Sequence, residues 1–148
     1  MVNRMLNKKS KANLRIAKLC LNMKGGVFHS VGASRAYYAI FQATKYLLEK
    51  KCFDYTKFKL DTPSARRHSD YAHGSIRNAL IYFLLNNGFN KPDDLVFINE
   101  MSTAFKKLYK WRIQADYEDG VISKKNLGEA IERAEMFINK LKKYDRRG

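Results

Sequence analysis

The sequence predicts an all-α protein, an up-and-down helical bundle of about five helices, and three observations carry that expectation. Apolar residues recur at helical spacing in five segments. No run of strict apolar–polar alternation is long enough to make a convincing sheet. With 148 residues, 45% of them hydrophobic, the chain amounts to one domain, residues 1–148, with enough apolar surface for a single core.

The first segment extends from about Asn3 to Lys24, with Ile16, Leu19, Cys20 and Met23 expected to face inward and Gly25-Gly26 as its stop. A second opens near Ser30 and reaches about Lys51, with Tyr37, Ile40, Phe41, Thr44, Leu47 and Leu48 as its core stripe. The third, from about Tyr71 to Asn87, aligns His73, Ile76, Leu80, Phe83, Leu84 and Asn87 before Gly88. Pro92-Asp93-Asp94 starts the fourth, which turns Ile98, Met101, Phe105 and Leu108 inward. The fifth follows Gly120, is capped by Ser123, and has the most regular stripe: Leu127, Ala130, Ile131, Ala134, Phe137, Ile138 and Leu141. Between Cys52 and Asp70 no strong period is visible, although a short helix after Pro63 would fit. Lys142 to Gly148 read as a frayed basic end.

Charge narrows the partners. The chain has 29 Lys and Arg against 14 Asp and Glu, a formal net charge of +15, which calls for an anionic partner, nucleic acid first among them. On the first segment Lys8, Lys11, Arg15 and Lys18 line one face, and no acidic residue occurs before Glu49, so this face reads as a ridge that tracks phosphates. Nine tyrosines and nine phenylalanines supply rings on which unpaired bases can stack. Cys20 and Cys52 sit among apolar residues and read as reduced core thiols. No apolar run approaches the ~20 residues of a membrane span, and the basic N-terminus lacks the apolar stretch of a signal peptide. A cytoplasmic protein without membrane contact is expected.

Polar residues interrupt the apolar stripes at two places. Four residues past Leu108 the fourth stripe lands on Arg112, with Asp116 one turn later and Tyr117 beside it. A guanidinium facing a core needs a partner, because an uncompensated charge there costs several kcal/mol, and Asp116 is placed to supply one. His73, at the opening of the third segment, is in phase with its apolar stripe. In an up-and-down bundle it comes to the end where the fourth helix finishes, so His73, Arg112, Asp116 and Tyr117 form a candidate polar pocket. A histidine beside an arginine can do acid–base work on a phosphodiester while the arginine stabilises charge on phosphorus. A structural ion pair and a hydrogen-bonded core histidine explain the same residues without chemistry. Arg35 lies on another stripe with Tyr38, Gln42, Lys45 and Glu49, and Arg66 and Arg67 fall in the long connection; all three are candidate nucleic-acid contacts. The chain has no Gly-rich phosphate loop ending in Lys-Ser/Thr, no Cys-x-x-Cys and no His-Glu-x-x-His, so no metal and no cofactor is expected.

Three runs, Ser34-Arg35-Ala36-Tyr37-Tyr38-Ala39-Ile40-Phe41-Gln42-Ala43, His73-Gly74 and Arg112-Ile113-Gln114-Ala115-Asp116-Tyr117, occur here in that order ahead of an Ala/Glu-rich last helix. In this the chain resembles the HEPN superfamily of small helical domains found in prokaryotic toxin–antitoxin and defence systems. The resemblance implies a HEPN-like bundle, often a homodimer, that binds or cuts RNA, binds a nucleotide, or pairs with a minimal nucleotidyltransferase. Catalytic relatives use an Arg and, a short spacer later, a His as a metal-independent endoribonuclease site. Here Arg112 is followed after four residues by Tyr117. A phenol with a pKa of about 10 is a poor acid–base group at neutral pH. Two readings stay open: a binding module without the usual nuclease chemistry, or a metal-independent endoribonuclease toxin in which His73 works with Arg112 or Arg67.

Overall fold

The computed structural model describes residues 4–117 and 121–147; for residues 4–6, 117, 146 and 147 it describes only the helical backbone. The helices are α1 (Arg4–Leu21), α2 (Gly26–Lys50), α3 (Tyr55–Asp61), α4 (Ile76–Leu85), α5 (Pro92–Tyr117) and α6 (Lys124–Arg147), with a 3-10 turn at Pro63–Arg67. No strand occurs among the described residues, so the chain is an all-α bundle, with six helices instead of about five. None of those helices is long and apolar enough to cross a membrane.

α2 is the central element. It packs on α1, α4, α5 and α6, whereas among the described residues α1 does not pack on α5. Large apolar side chains at a 3.6-residue period account for α5 and α6. Ile98, Met101, Phe105 and Leu108 on one, and Leu127, Ala130, Ile131, Ala134, Phe137 and Leu141 on the other, are all buried. The Ser123 side chain accepts a hydrogen bond from the Asn126 amide at 3.1 Å, the cap the sequence calls for. The basic end is helical as far as Arg147 and so is not frayed there, while Gly148, the last residue of that expectation, lies outside the described residues.

α1 differs from expectation. Its inward face is Ser10, Asn13, Ala17 and Cys20, while Ile16, Leu19 and Met23 remain 39%, 62% and 46% exposed. Close approach to α2 is the reason. Ser10 donates to the Ala39 carbonyl at 2.6 Å, Asn13 Nδ2 donates to Gln42 Oε1 at 2.7 Å, and a Cβ on Gly32 would lie 2.8–2.9 Å from Leu127 and Cys20. Helices this near each other need small or hydrogen-bonding residues at the contact, so the bulky residues are displaced to the outside. α1 ends at Leu21 and α2 begins at Gly26, four residues before Ser30, after Gly25 has turned the chain with φ +112°.

The long connection is ordered by its own caps. Asp54 accepts from the Lys57 amide at 3.0 Å to start α3, and Pro63 opens the 3-10 turn. Tyr55 and Phe58 are buried in an aromatic group with Phe53, Tyr71 and Tyr82. Tyr71 adopts φ +60°, so no helix can run through it and α4 starts at Ile76 instead of Tyr71. Asn87, placed in the core stripe by the sequence, lies past the end of α4, exposed, and its amide donates to the Phe83 carbonyl. Cys20 is buried and Cys52 exposed; both are free thiols, so Cys52 is not the core residue expected.

Candidate functional site

The second-helix run and the fourth-helix run meet in space. On α2, Ser34, Tyr37, Tyr38 and Phe41 follow helical spacing and so share one side of the helix, and on α5 Arg112 and Asp116 are one turn apart. Arg112 Nε donates to Asp116 Oδ2 at 3.1 Å and Nη2 donates to the Tyr38 hydroxyl at 3.0 Å. Ser34 Oγ donates to the same Asp116 oxygen at 3.3 Å. The guanidinium lies 5.4 Å from the Tyr38 ring centre and 5.8 Å from that of Tyr37, within cation–π range. Arg112 is buried, so the carboxylate, the phenol and the two ring faces together take the place of the water it gives up.

His73 reaches the same cluster from outside a helix. It precedes the Ser75 cap of α4 in an irregular segment, and not in a first helical turn as the period suggests. Its Nδ1 is 2.8 Å from the hydroxyl of Tyr37, and its ring stacks on Phe41 with centres 4.3 Å apart. Gly74 is needed here, because a Cβ at that position would come 2.5 Å from the His68 ring. Burial first, and the positive charge of Arg112 second, hold the imidazole below its ordinary pKa, so it is neutral at pH 7. Burial pushes the Tyr37 phenol well above its usual value, so it too is neutral. Among the described residues Nε2 of His73 has no hydrogen-bond partner, which leaves it the nitrogen through which the ring can exchange a proton.

Of the four pocket candidates, three converge: His73, Arg112 and Asp116. The fourth, Tyr117, has its side chain outside the described residues. Tyr37, Tyr38, Phe41 and Ser34 complete the cluster, although the sequence does not mark them as site residues. Their signal is their spacing within a single run, masked because tyrosine and phenylalanine fit a core equally well.

The basic candidates lie elsewhere. Arg35, between Ser34 and Tyr37 in the run, turns away and donates to Asn13 Oδ1 at 3.3 Å, at the α1–α2 seam. Arg66 donates to the carbonyls of Lys59 and Leu60 at 2.9 and 3.1 Å and so caps α3. Arg67 donates to the Ser64 carbonyl within its own turn at 3.4 Å, a long bond on an exposed side chain. On α1, Lys8, Lys11 and Arg15 are exposed, as is Lys9, and among the described residues none has a carboxylate within 4 Å. Lys18 departs from the uniform ridge, because it pairs with Glu135 of α6 at 2.9 Å. With α2 lying between α1 and α5, the cationic face and the His73–Arg112 cluster are separate surfaces. Among the described residues no group of three or more His, Cys, Asp or Glu side chains is placed to hold a metal ion.

No protein-family model, no curated protein and no solved structure matches this chain.

Proposed function

We propose that this protein is a HEPN-like RNA-binding module of a prokaryotic toxin–antitoxin or defence-type system, docking RNA on the cationic face of α1. One observation carries the reading. Lys8, Lys9, Lys11 and Arg15 stand exposed and unneutralised on a helix that contains no acidic residue, in a chain of net charge +15. Such a face binds phosphates in proportion to the counterions it releases. Interlocking of the Ser34–Phe41 and Arg112–Asp116 runs supports the HEPN likeness, since the residues that carry it act together in one cluster. In that cluster Arg112 is tied to Asp116 and Tyr38, which suits a joint between α2 and α5. A minimal nucleotidyltransferase is the protein partner that this likeness implies.

The second reading, a metal-independent endoribonuclease, is favoured by the nearness of neutral His73 to Arg112. Of the two arginines that reading offers, Arg112 is the one whose charge acts on His73, whereas Arg67 donates to the Ser64 carbonyl in its own turn.

One assay addresses both. Purified protein is mixed with a structured RNA pool in EDTA across a salt series, and retention and cleavage are read together. Retention is expected to fall steeply with salt. Substituting Lys8, Lys9 and Arg15 together by Gln is expected to lower the slope of log affinity against log salt by about 2 for single strands. Cleavage that disappears in His73→Ala and Arg112→Ala would move the assignment to the nuclease. An unchanged salt slope in the triple variant would remove α1 as the RNA face.

A further inference from the structure

A groove runs along the seam where α1, α2 and α6 meet. It consists of two clefts of about 180 and 160 Å³ that share Asn7, Lys11, Ile138 and Lys142. Each is smaller than the roughly 300 Å³ at which sites for whole drug-sized ligands begin, so each suits a fragment such as one ring. Their floor is apolar. Leu14 and Ile138 line the first cleft, and Ala43, Leu47, Leu141 and the ring of Tyr46 line the second.

The charge around this floor is one-sided. Glu135, at one end, is engaged by Lys18 at 2.9 Å, and Asp145, at the other, is engaged by Lys50 at 2.8 Å and Lys51 at 3.4 Å. Lys11 and Lys142 line both clefts and have no carboxylate within 4 Å among the described residues. Two ammonium groups from different helices thus flank an apolar slot that carries one aromatic ring. The occupant this fits has a flat apolar body joined to a negative group. Lys11 also belongs to the exposed cationic face with Lys8 and Arg15, so a phosphate chain following that face passes the mouth of the groove.

We propose that the groove between α1, α2 and α6 seats one unstacked base of single-stranded RNA, with the adjoining phosphate held between Lys11 and Lys142. The proposal rests on the RNA-binding reading above and adds to it a preference for unpaired strands. The base packs on Tyr46 and Ile138, a contact open to any base because every base presents a flat face. A duplex keeps its bases stacked and has none to offer, so it can use only the cationic ridge.

The test compares a labelled single-stranded oligoribonucleotide with the same sequence in a duplex, binding to the full chain followed by fluorescence anisotropy over a salt series. Tyr46→Leu, which keeps apolar bulk and removes the ring, is expected to weaken single-strand binding by about tenfold with an unchanged salt slope and unchanged duplex binding. Ala43→Phe, which fills the slot, is expected to act in the same direction; if it fails to fold by circular dichroism, Tyr46→Leu decides alone. Single-strand affinity indifferent to these changes, while the Lys8, Lys9 and Arg15 substitutions still lower the salt slope, would overturn the seat and leave the RNA reading standing. Absence of RNA binding by the unsubstituted chain would overturn both.

Discussion

Tyr37 has no exposed surface, and the 2.8 Å contact between its hydroxyl and His73 Nδ1 fixes an imidazole that belongs to no helix. The energetic consequence follows from the direction of the His73 shift. Its folded pKa lies below the ordinary value of 6.5 because of burial and, secondarily, Arg112. The unfolded chain therefore takes up a proton near pH 6.5 that the folded one resists. This contribution to stability is intact above that pH and is lost as pH falls from there to the folded pKa. Urea denaturation is expected to show a midpoint that falls as pH drops through the ordinary histidine range, and His73→Gln to flatten that part of the profile. Arg112→Met is expected to raise the His73 pKa, followed through its ring-proton resonance; a His73 titrating at or above 6.5 in the unsubstituted protein would refute the account. Glu129 is held below its usual range chiefly by hydrogen bonds from Lys107 and Arg133, so its loss falls in a more acidic window and does not blur this one. At this scale the Arg112–Asp116 pair was legible, because an arginine in a leucine's place needs a counter-charge and the acid one turn on is placed to supply it. The Tyr37–His73 bond was not, because no spacing rule links an irregular segment to the middle of α2.

Among the elements, α5 and α6 were legible and α1 only half so, and the cause is side-chain size. Where Phe105, Leu108, Phe137 and Leu141 fill space between helices, hydrophobic period and buried face coincide. Where α1 lies against α2 through Ala17, Ser10, Asn13 and Cys20, the buried face is made of small and polar residues, and the bulky ones point elsewhere. α3 is not legible because its 7 residues are too few to display a period; only the Asp54 cap, seen in the structure, defines its start. Substitution separates the two versions of α1. In protein dilute enough to be monomeric, Leu19→Ser is expected to change unfolding free energy by no more than about 0.5 kcal/mol, as at an ordinary surface position. Ala17→Leu forces bulk into the close contact and is expected to cost about 1–3 kcal/mol. Equilibrium denaturation of the pair checks both, and the opposite order of effects would restore the face that hydrophobicity alone suggests.

For the whole molecule, the residues displaced from the core have a consequence of their own. Ile16 and Leu19 on α1, Met23 in the turn, and Val27, Phe28 and Val31 on α2 are large, apolar and exposed, and all lie at or toward the turn of one helical hairpin. Exposed apolar residues that cluster mark interaction surfaces more often than those scattered singly, and net charge of +15 works against casual self-association. Under the HEPN-like reading proposed above, we propose a second copy of the chain as the occupant of this surface. On α5 the exposed large apolar residues are Leu95, Val96 and Tyr109. A stable dimer must bury about 800 Å² on each partner, so the two arms of the hairpin have to contribute together. Carboxylates placed in such an interface lose hydration without gaining partners. Sedimentation velocity over a concentration series is therefore expected to show a dimer for the unsubstituted chain and a monomer for Leu19→Glu combined with Val27→Glu, with helix content unchanged because both positions lie outside the core. A monomer at every concentration in the unsubstituted chain would remove the dimer. A dimer that survives both substitutions would move its interface away from the α1–α2 hairpin, to the exposed residues of α5.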